Sequence, residues 1–244
     1  MKILLIRSYL LLFSLLFCTN VDAQTTTSKN NNSLITQKRN LINYSALSLN
    51  IPASIEVSQS ADYAFSITGK QELLDQIITE IKDGELVITT KDKKWKWSGE
   101  QTIRISISLP KINSMEINGS GHITAISAMS TEKLSLLING SGHISTMTIN
   151  VAALNAEING SGSILELSGN ADQITMAVNG SGNIKAGKLQ SKRSTIAISG
   201  SGNIDAGSIA SLDVNIAGSG NVSYQGNPEN VKKRIAGSGT VSQE

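Results

Sequence analysis

INGSGHI occupies residues 117–123, and the same seven letters return at 138–144. Whether they belong to a longer series is the first matter to settle, because a fixed period determines the whole fold. Gly-Ser-Gly begins at Gly119, Gly140, Gly160, Gly180, Gly200, Gly218 and Gly237, at intervals of 21, 20, 20, 20, 18 and 19 residues. The first six copies follow an apolar-x-apolar-x run: Met115 and Ile117, Leu136 and Ile138, Ala156 and Ile158, Met176 and Val178, Ile196 and Ile198, Val214 and Ile216. After each triplet comes one polar residue and then Ile123, Ile144, Ile164, Ile184, Ile204, Val222 or Val241. A period of two on both sides of the glycines reads as strand, corner, strand.

One such unit cannot bury its apolar row alone, so units must stack. In a β-solenoid each unit of about 20 residues is a coil, and like positions lie about 4.8 Å apart along the axis. In a flat meander alternate strands reverse and the two strands of a unit become hairpin partners. The near-constant unit length favours the solenoid, which requires it. Glycine then supplies a backbone angle that residues with a Cβ avoid, and the small serine lets neighbouring coils approach. Asn118, Asn139, Asn159 and Asn179 precede the first glycine, where an amide can bond its own turn or form a ladder along the stack.

The rest of the chain agrees with an exported all-β protein. It has 244 residues, 21 Gly, 3 Pro and 4% aromatics, with a formal net charge of +2. Its basic residues are scattered, which excludes the concentrated positive face that nucleic acid needs. Lys2 and Arg7 flank an apolar run from Tyr9 to Phe17, and Val21-Asp22-Ala23 forms a cleavage site, so residues 1–23 read as an export signal. Cleavage removes Cys18, the only cysteine, so disulfides and thiol chemistry are not expected in the mature chain. The alternative is a lipoprotein anchored through Cys18, although Leu16-Phe17 are poor neighbours for such a site. No later stretch is apolar enough to read as a membrane-spanning helix.

Residues 24–39 are polar and read as a disordered leader. Residues 40–240 read as a single solenoid domain, with the repeats from 115 onward and a tail at 241–244. Its N-terminal part is less regular. SLNIPASIEVSQ (48–59), YAFSIT (63–68) and TIRISISLP (102–110) alternate as strands do, and ITEIKDGELVITT (78–90) reads as two strands joined at Asp83-Gly84. Leu73, Leu74, Ile77, Ile78 and Ile81 have helical spacing, so a short helix over roughly 71–77 competes with the strand for part of this stretch.

The in-phase G-S-G-[HSNT]-[IV] units, after a stretch that ends TIRISISLPKINSMEINGSG, resemble the head GIN domain family of autotransporter adhesin heads over roughly 40–240. The resemblance implies an exported β-helical protein of a Gram-negative-type envelope, similar in architecture to pectin-lyase-like folds, with a role in adhesion. A true autotransporter ends in a translocator, whereas this sequence ends GSGTVSQE, so the resemblance reaches the head and self-transport is not expected.

Few residues invite chemistry. Gly119-Ser120-Gly121 lacks the third glycine of a dinucleotide fingerprint and the Lys of a P-loop, and only Asp205 stands near the acidic position that a calcium β-roll needs in each turn. His122 and His143 share a phase, so they would stack, but later units put Ser163, Asn183, Asn203, Asn221 and Thr240 there, a solvent-facing polar column and not a metal site. Glu116 and Glu157 also share a phase two units apart, and the convergent carboxylates of a glycoside hydrolase are not evident. The unusual stretch is KDKKWKWSGEQ (91–101). There Trp95 and Trp97 would face one way and Lys94 and Lys96 the other, a strip that could stack on sugar rings or rest at a membrane interface, although covering an open end of the solenoid while the lysines discourage edge pairing is the favoured reading. The resulting expectation is a non-catalytic envelope or surface protein that binds glycan or another envelope protein, without cofactor or metal. Its alternatives are a structural module that self-associates through its end coils as a homo-oligomer, and a degenerate polysaccharide-active enzyme. The expected address is the periplasm, the outer membrane surface or the medium.

Overall fold

In the computed structural model, residues 33–92, 95, 97, 102–146 and 148–244 are described. The export signal, Cys18, residues 24–32, Lys94 and Lys96 lie outside them. The N-terminal part contains β1 (Leu34–Lys38), β2 (Ala46–Leu49), β3 (Ser54–Gln59), β4 (Ala64–Lys70), α1 (Gln71–Leu74), β5 (Ile77–Lys82), β6 (Glu85–Thr90) and β7 (Arg104–Leu109). The repeats contribute first strands β8 (Ser114–Gly119), β10 (Met129–Gly140), β12 (Ile149–Gly160), β14 (Ser168–Gly180), β16 (Lys188–Gly200), β18 (Ser211–Gly218) and β20 (Asn230–Gly237). Each is followed across its glycine corner by a second strand: β9 (His122–Ala125), β11 (His143–Ser145), β13 (Ser163–Leu165), β15 (Asn183–Lys185), β17 (Asn203–Ile209), β19 (Asn221–Gln225) and β21 (Thr240–Gln243).

Among the repeats, first strands pair in parallel with first strands and second strands with second strands, except that the start of β16 also pairs with the end of β17, Gln190 with Ser208 and Ser191 with Ile209. Ile117, Ile138, Ile158, Val178, Ile198 and Ile216 are successive register partners, as are Ile123, Ile144, Ile164, Ile184, Ile204 and Val222. Parallel register between consecutive copies is the geometry of a β-solenoid and rules out the meander. All of these side chains are at most 1% exposed. The two columns therefore run through a continuous interior, each aliphatic contributing roughly 1.5–3 kcal/mol of burial.

The corners take part in the same ladder. Ser141 N–H donates to the Gly119 carbonyl at 2.9 Å, Ser161 to Gly140 at 3.0 Å and Ser181 to Gly160 at 2.9 Å. At Gly160, φ is +142°, an extended left-handed angle essentially reserved for glycine, and an added Cβ would overlap the Gly140 carbonyl oxygen of the coil beneath. Gly162 is needed for a different reason. Its φ is ordinary, but a Cβ would lie 2.5 Å from Gly142 O and 2.7 Å from Ile138 Cγ2.

The N-terminal part does not simply precede the stack. β2 pairs in parallel with both β6 and β8, and β3 with both β7 and β9. The first coil in sequence thus sits between the coil made of β6 and β7 and the first glycine-triplet coil. After β3 the chain turns outward through β4, α1 and β5, and antiparallel pairing of β4 with β7 and of β5 with β6 closes this end. Asp83 and Gly84, at φ 51° and 78°, make the expected tight turn between β5 and β6. Of the short helix expected over 71–77 one turn forms, α1, with Leu73 and Leu74 buried, and Ile77 and Ile78 instead begin β5.

Two expected boundaries are corrected. Residues 34–38 are not disordered leader: β1 pairs antiparallel with β4, Thr36 Oγ1 meets Thr68 Oγ1 at 2.8 Å, Ile35 packs on the core, and Arg39 Nη1 donates to Thr79 Oγ1 at 3.0 Å. A polar composition hides a strand whose partner carries the apolar face. The tail at 241–244 likewise belongs to the stack through residue 243, since β21 pairs with β19.

Candidate binding groove

The outer surface is organised as columns, because every outward position repeats once per coil about 4.8 Å further along the axis. Two amide columns bond to themselves. Asn118 Nδ2 donates to Asn50 Oδ1 at 2.9 Å, and Asn139, Asn159 and Asn179 continue the series at 2.9, 3.0 and 2.9 Å. Beyond the corner, Asn203 donates to Asn183 and Asn221 to Asn203, both at 3.0 Å, and Thr240 Oγ1 donates to Asn221 at 2.7 Å. His122 and His143 occupy the same column as this second series, stacked at 5.1 Å and 3° with both side chains exposed.

The acidic residues are engaged in structure. Glu116 Oε1 accepts from Asn118 at 2.8 Å and Glu157 Oε1 from Asn159 at 3.0 Å, so the two in-phase glutamates brace the amide ladder. Asp172 pairs with Lys192 at 2.7 Å and Asp213 with Arg234 at 3.0 Å. Asp205 lines a hollow of about 440 Å³ with Glu166, Lys185 and Lys188. Burial pushes its carboxyl above the usual range, the Gly207 N–H draws it back, and Glu244 adds to the rise. No three His, Cys, Asp or Glu side chains among the described residues gather to hold a metal ion.

Of the aromatic strip, Trp95 and Trp97 are half-buried and packed against the core, and the backbone N–H of Trp95 donates to the backbone carbonyl of Asp92 at 3.0 Å. Lys94 and Lys96 fall outside the described residues, so the strip's second face is not seen.

A longer concavity lies elsewhere among the described residues. The ladder between first strands skips one position per coil: Thr131 pairs with Val151 and Lys133 with Ala153, and the same gap recurs at the next two steps. The buried phase shifts there as well, from Ile149 and Val151 to Leu154 and Ala156 in β12, so the strand turns at the skipped residues, Glu132, Ala152, Asp172 and Lys192. Beside this bend runs a groove of about 630 Å³ along the axis, lined by Asn150, Asn170, Gln190 and Ser208. These four are successive register partners. Unlike the two bonded columns, Asn150, Asn170 and Gln190 have no side-chain hydrogen bond to the described residues. Sequence reading missed the groove. Its one signal is the 20-residue phase of Asn150, Asn170 and Gln190, which looks like any solvent-facing polar column until the strand bend makes it concave.

Solved structures share this architecture. A putative adhesin from Bacteroides fragilis matches at TM-score 0.82 and 24% identity, covering 87% of this chain and 97% of its own. A putative lipid binding protein from Parabacteroides distasonis matches at 0.71 and 25%, covering 88% and 98%, and a putative adhesin from Parabacteroides merdae at 0.64 and 20%, covering 88% and 97%. A comparison with curated proteins returns no match. No helix among the described residues is long and apolar enough to cross a membrane. The sequence pattern of one family spans residues 43–228, the whole solenoid up to the last coil, and the chain therefore belongs to the family described as "Putative auto-transporter adhesin, head GIN domain".

Proposed function

We propose that this chain is an exported, non-catalytic surface module of the adhesin kind, which engages its partner through the axial groove. The observation that carries this reading is the contrast between columns. The amides at the corners are consumed by their own ladders, whereas those in the groove are left to bind something else. Membership of an adhesin-head family supports the surface role. The carboxylates support binding over hydrolysis: Glu116, Glu157, Asp172 and Asp213 are each held by an amide or a cation, and a glycoside hydrolase needs a facing pair free to act.

The test is adhesion. Cells displaying the chain are expected to adhere to glycan- or protein-coated surfaces where control cells do not. Replacing Trp95 and Trp97 together by alanine is expected to lower the melting temperature, because both rings pack on the core. Failure to adhere to any coated surface, or release of sugar from a polysaccharide by the purified chain, would overturn the reading. Lost adhesion with unchanged melting in the tryptophan variant would move the contact from the groove to residues 94–97.

A second reading, self-association through an end coil, has one observation in its favour. All eight residues of β20 are exposed, with Val231 at 38% and Ile235 at 43%. Lys232, Lys233 and Arg234 would bring like charges together there, which favours the first reading.

A further inference from the structure

We infer that the axial groove takes a neutral, extended glycan lying along the solenoid axis, an inference that rests on the binding-module reading above.

The polar half of the argument is the column of Asn150, Asn170 and Gln190. Each amide brings two donor hydrogens and an acceptor oxygen, and their repeat along the axis offers the same mixed donor-acceptor pair at every step. A hydroxyl, which both donates and accepts, matches such a pair at whichever atom it meets. A chain carrying hydroxyls at regular intervals can satisfy the three amides at once.

The apolar half is the neighbouring column at the bend. Ala152 and Ala210 stand where other coils carry Glu132, Asp172 and Lys192, and Val151, Ala171 and Ile209 lie beside them in the lining. Ala152 and Ala210 are exposed and give the groove small apolar surfaces next to the amides, while the Val151, Ala171 and Ile209 side chains are buried in the core. The C–H face of a sugar ring needs such surfaces, and its hydroxyl edge needs the amides.

Charge and backbone exclude the other extended polymers. Lys192 is neutralised by Asp172 at 2.7 Å, so the groove offers no free cation to a phosphate chain or an acidic glycan, and Glu132 at its end repels both. Apart from the one skipped position per coil, the backbone of the strands that form the groove is spent on the ladder between coils. A peptide would find no free edge for strand addition and no deep apolar pocket for its side chains. The groove draws on residues from Thr131 to Asn227, across successive coils, which sets the direction of the ligand along the axis.

The test uses the full chain and two variants at exposed positions, one lacking all three amides (Asn150→Ala, Asn170→Ala and Gln190→Ala) and one filling the groove (Ala152→Trp). The probes are neutral oligosaccharides of graded length, sialylated or sulfated glycans, and unstructured peptides, with binding followed by calorimetry and melting measured in parallel. The expected result is binding of a neutral oligosaccharide that tightens with chain length. Three lost hydrogen bonds should weaken it by at least about tenfold in the amide variant, the tryptophan should abolish it, and both variants should melt as the parent does. Equal affinity in parent and amide variant overturns the inference, as does preference for an acidic glycan or a peptide. If displaying cells adhere and the amide variant adheres equally well, the groove assignment fails and the adhesive reading stands. If the parent adheres to nothing, both fall.

Discussion

Replacing single corner glycines by alanine separates the two physical demands that each corner makes. Gly119 and Gly160 both open a triplet, at φ +128° and +142°. A Cβ in this region costs about 1–3 kcal/mol of backbone strain. At Gly119 the added methyl would meet nothing within 4 Å, whereas at Gly160 it would overlap the carbonyl of Gly140. Relieving that overlap means prising apart two coils held by the Ser161 N–H to Gly140 bond, of 3.0 Å, an overpacking cost of about 1–3 kcal/mol more. Gly162→Ala has the steric cost without the positive angle, with contacts of 2.5 and 2.7 Å, and is expected to fall between them or beside Gly119→Ala. Urea unfolding followed by far-UV circular dichroism gives the three midpoints, with the slope m checked for constancy because repeat arrays lose two-state behaviour when a central coil weakens. The expected order places Gly160→Ala as the most damaging, beyond Gly119→Ala by at least about 1 kcal/mol. Equal midpoints for Gly119→Ala and Gly160→Ala would refute the argument that the triplet exists to let coils touch.

Two further expectations concern charge. Because burial raises the folded-state pKa of Asp205, ionising it costs stability: its contribution is fully present at low pH and is lost as pH rises from the ordinary carboxylate range through the raised value. Asp205→Asn should therefore flatten the pH dependence of the melting temperature in that window, and an unchanged difference between parent and variant across it would contradict the burial argument. Lys233 occupies an inward-facing register position opposite the buried Val214, with its ammonium donating to Val241 O at 3.2 Å and lying 5.5 Å from the Tyr224 ring centre. Lys233→Ile should leave an apolar exposed edge and produce concentration-dependent oligomers by sedimentation velocity, where the parent sediments as one species.

The repeat region was legible because each coil restates the same constraints. The triplets, the paired aliphatics before them and the branched residue after them all share one phase, and only a parallel in-register stack satisfies every copy. The asparagine ladder and the stacking of His122 on His143 followed from the same phase. Along the N-terminal part that reasoning loses its grip, since β2, β3, β6 and β7 alternate well enough to be recognised as strands but carry no shared period that says which lies on which. Their order is decided by which apolar rows can meet: Leu47 and Leu49 lie between Leu86 and Ile88 on one side and Met115 and Ile117 on the other. The strand at 34–38 was hidden for a related reason, because its stability comes from β4 and Arg39 and not from its own composition.

The amino-acid sequence by itself determined the coil, the corner and the interior, since a glycine that must accept a neighbour's carbonyl and an aliphatic that must stay dry are local demands repeated until one arrangement remains. Tertiary structure alone decided where the chain enters the stack, how its first end is closed and where the surface becomes concave. Those features depend on contacts between residues that share no period. An exposed asparagine is written the same way whether it faces open water or the floor of a groove, and the difference arises only when the strand bends beside it.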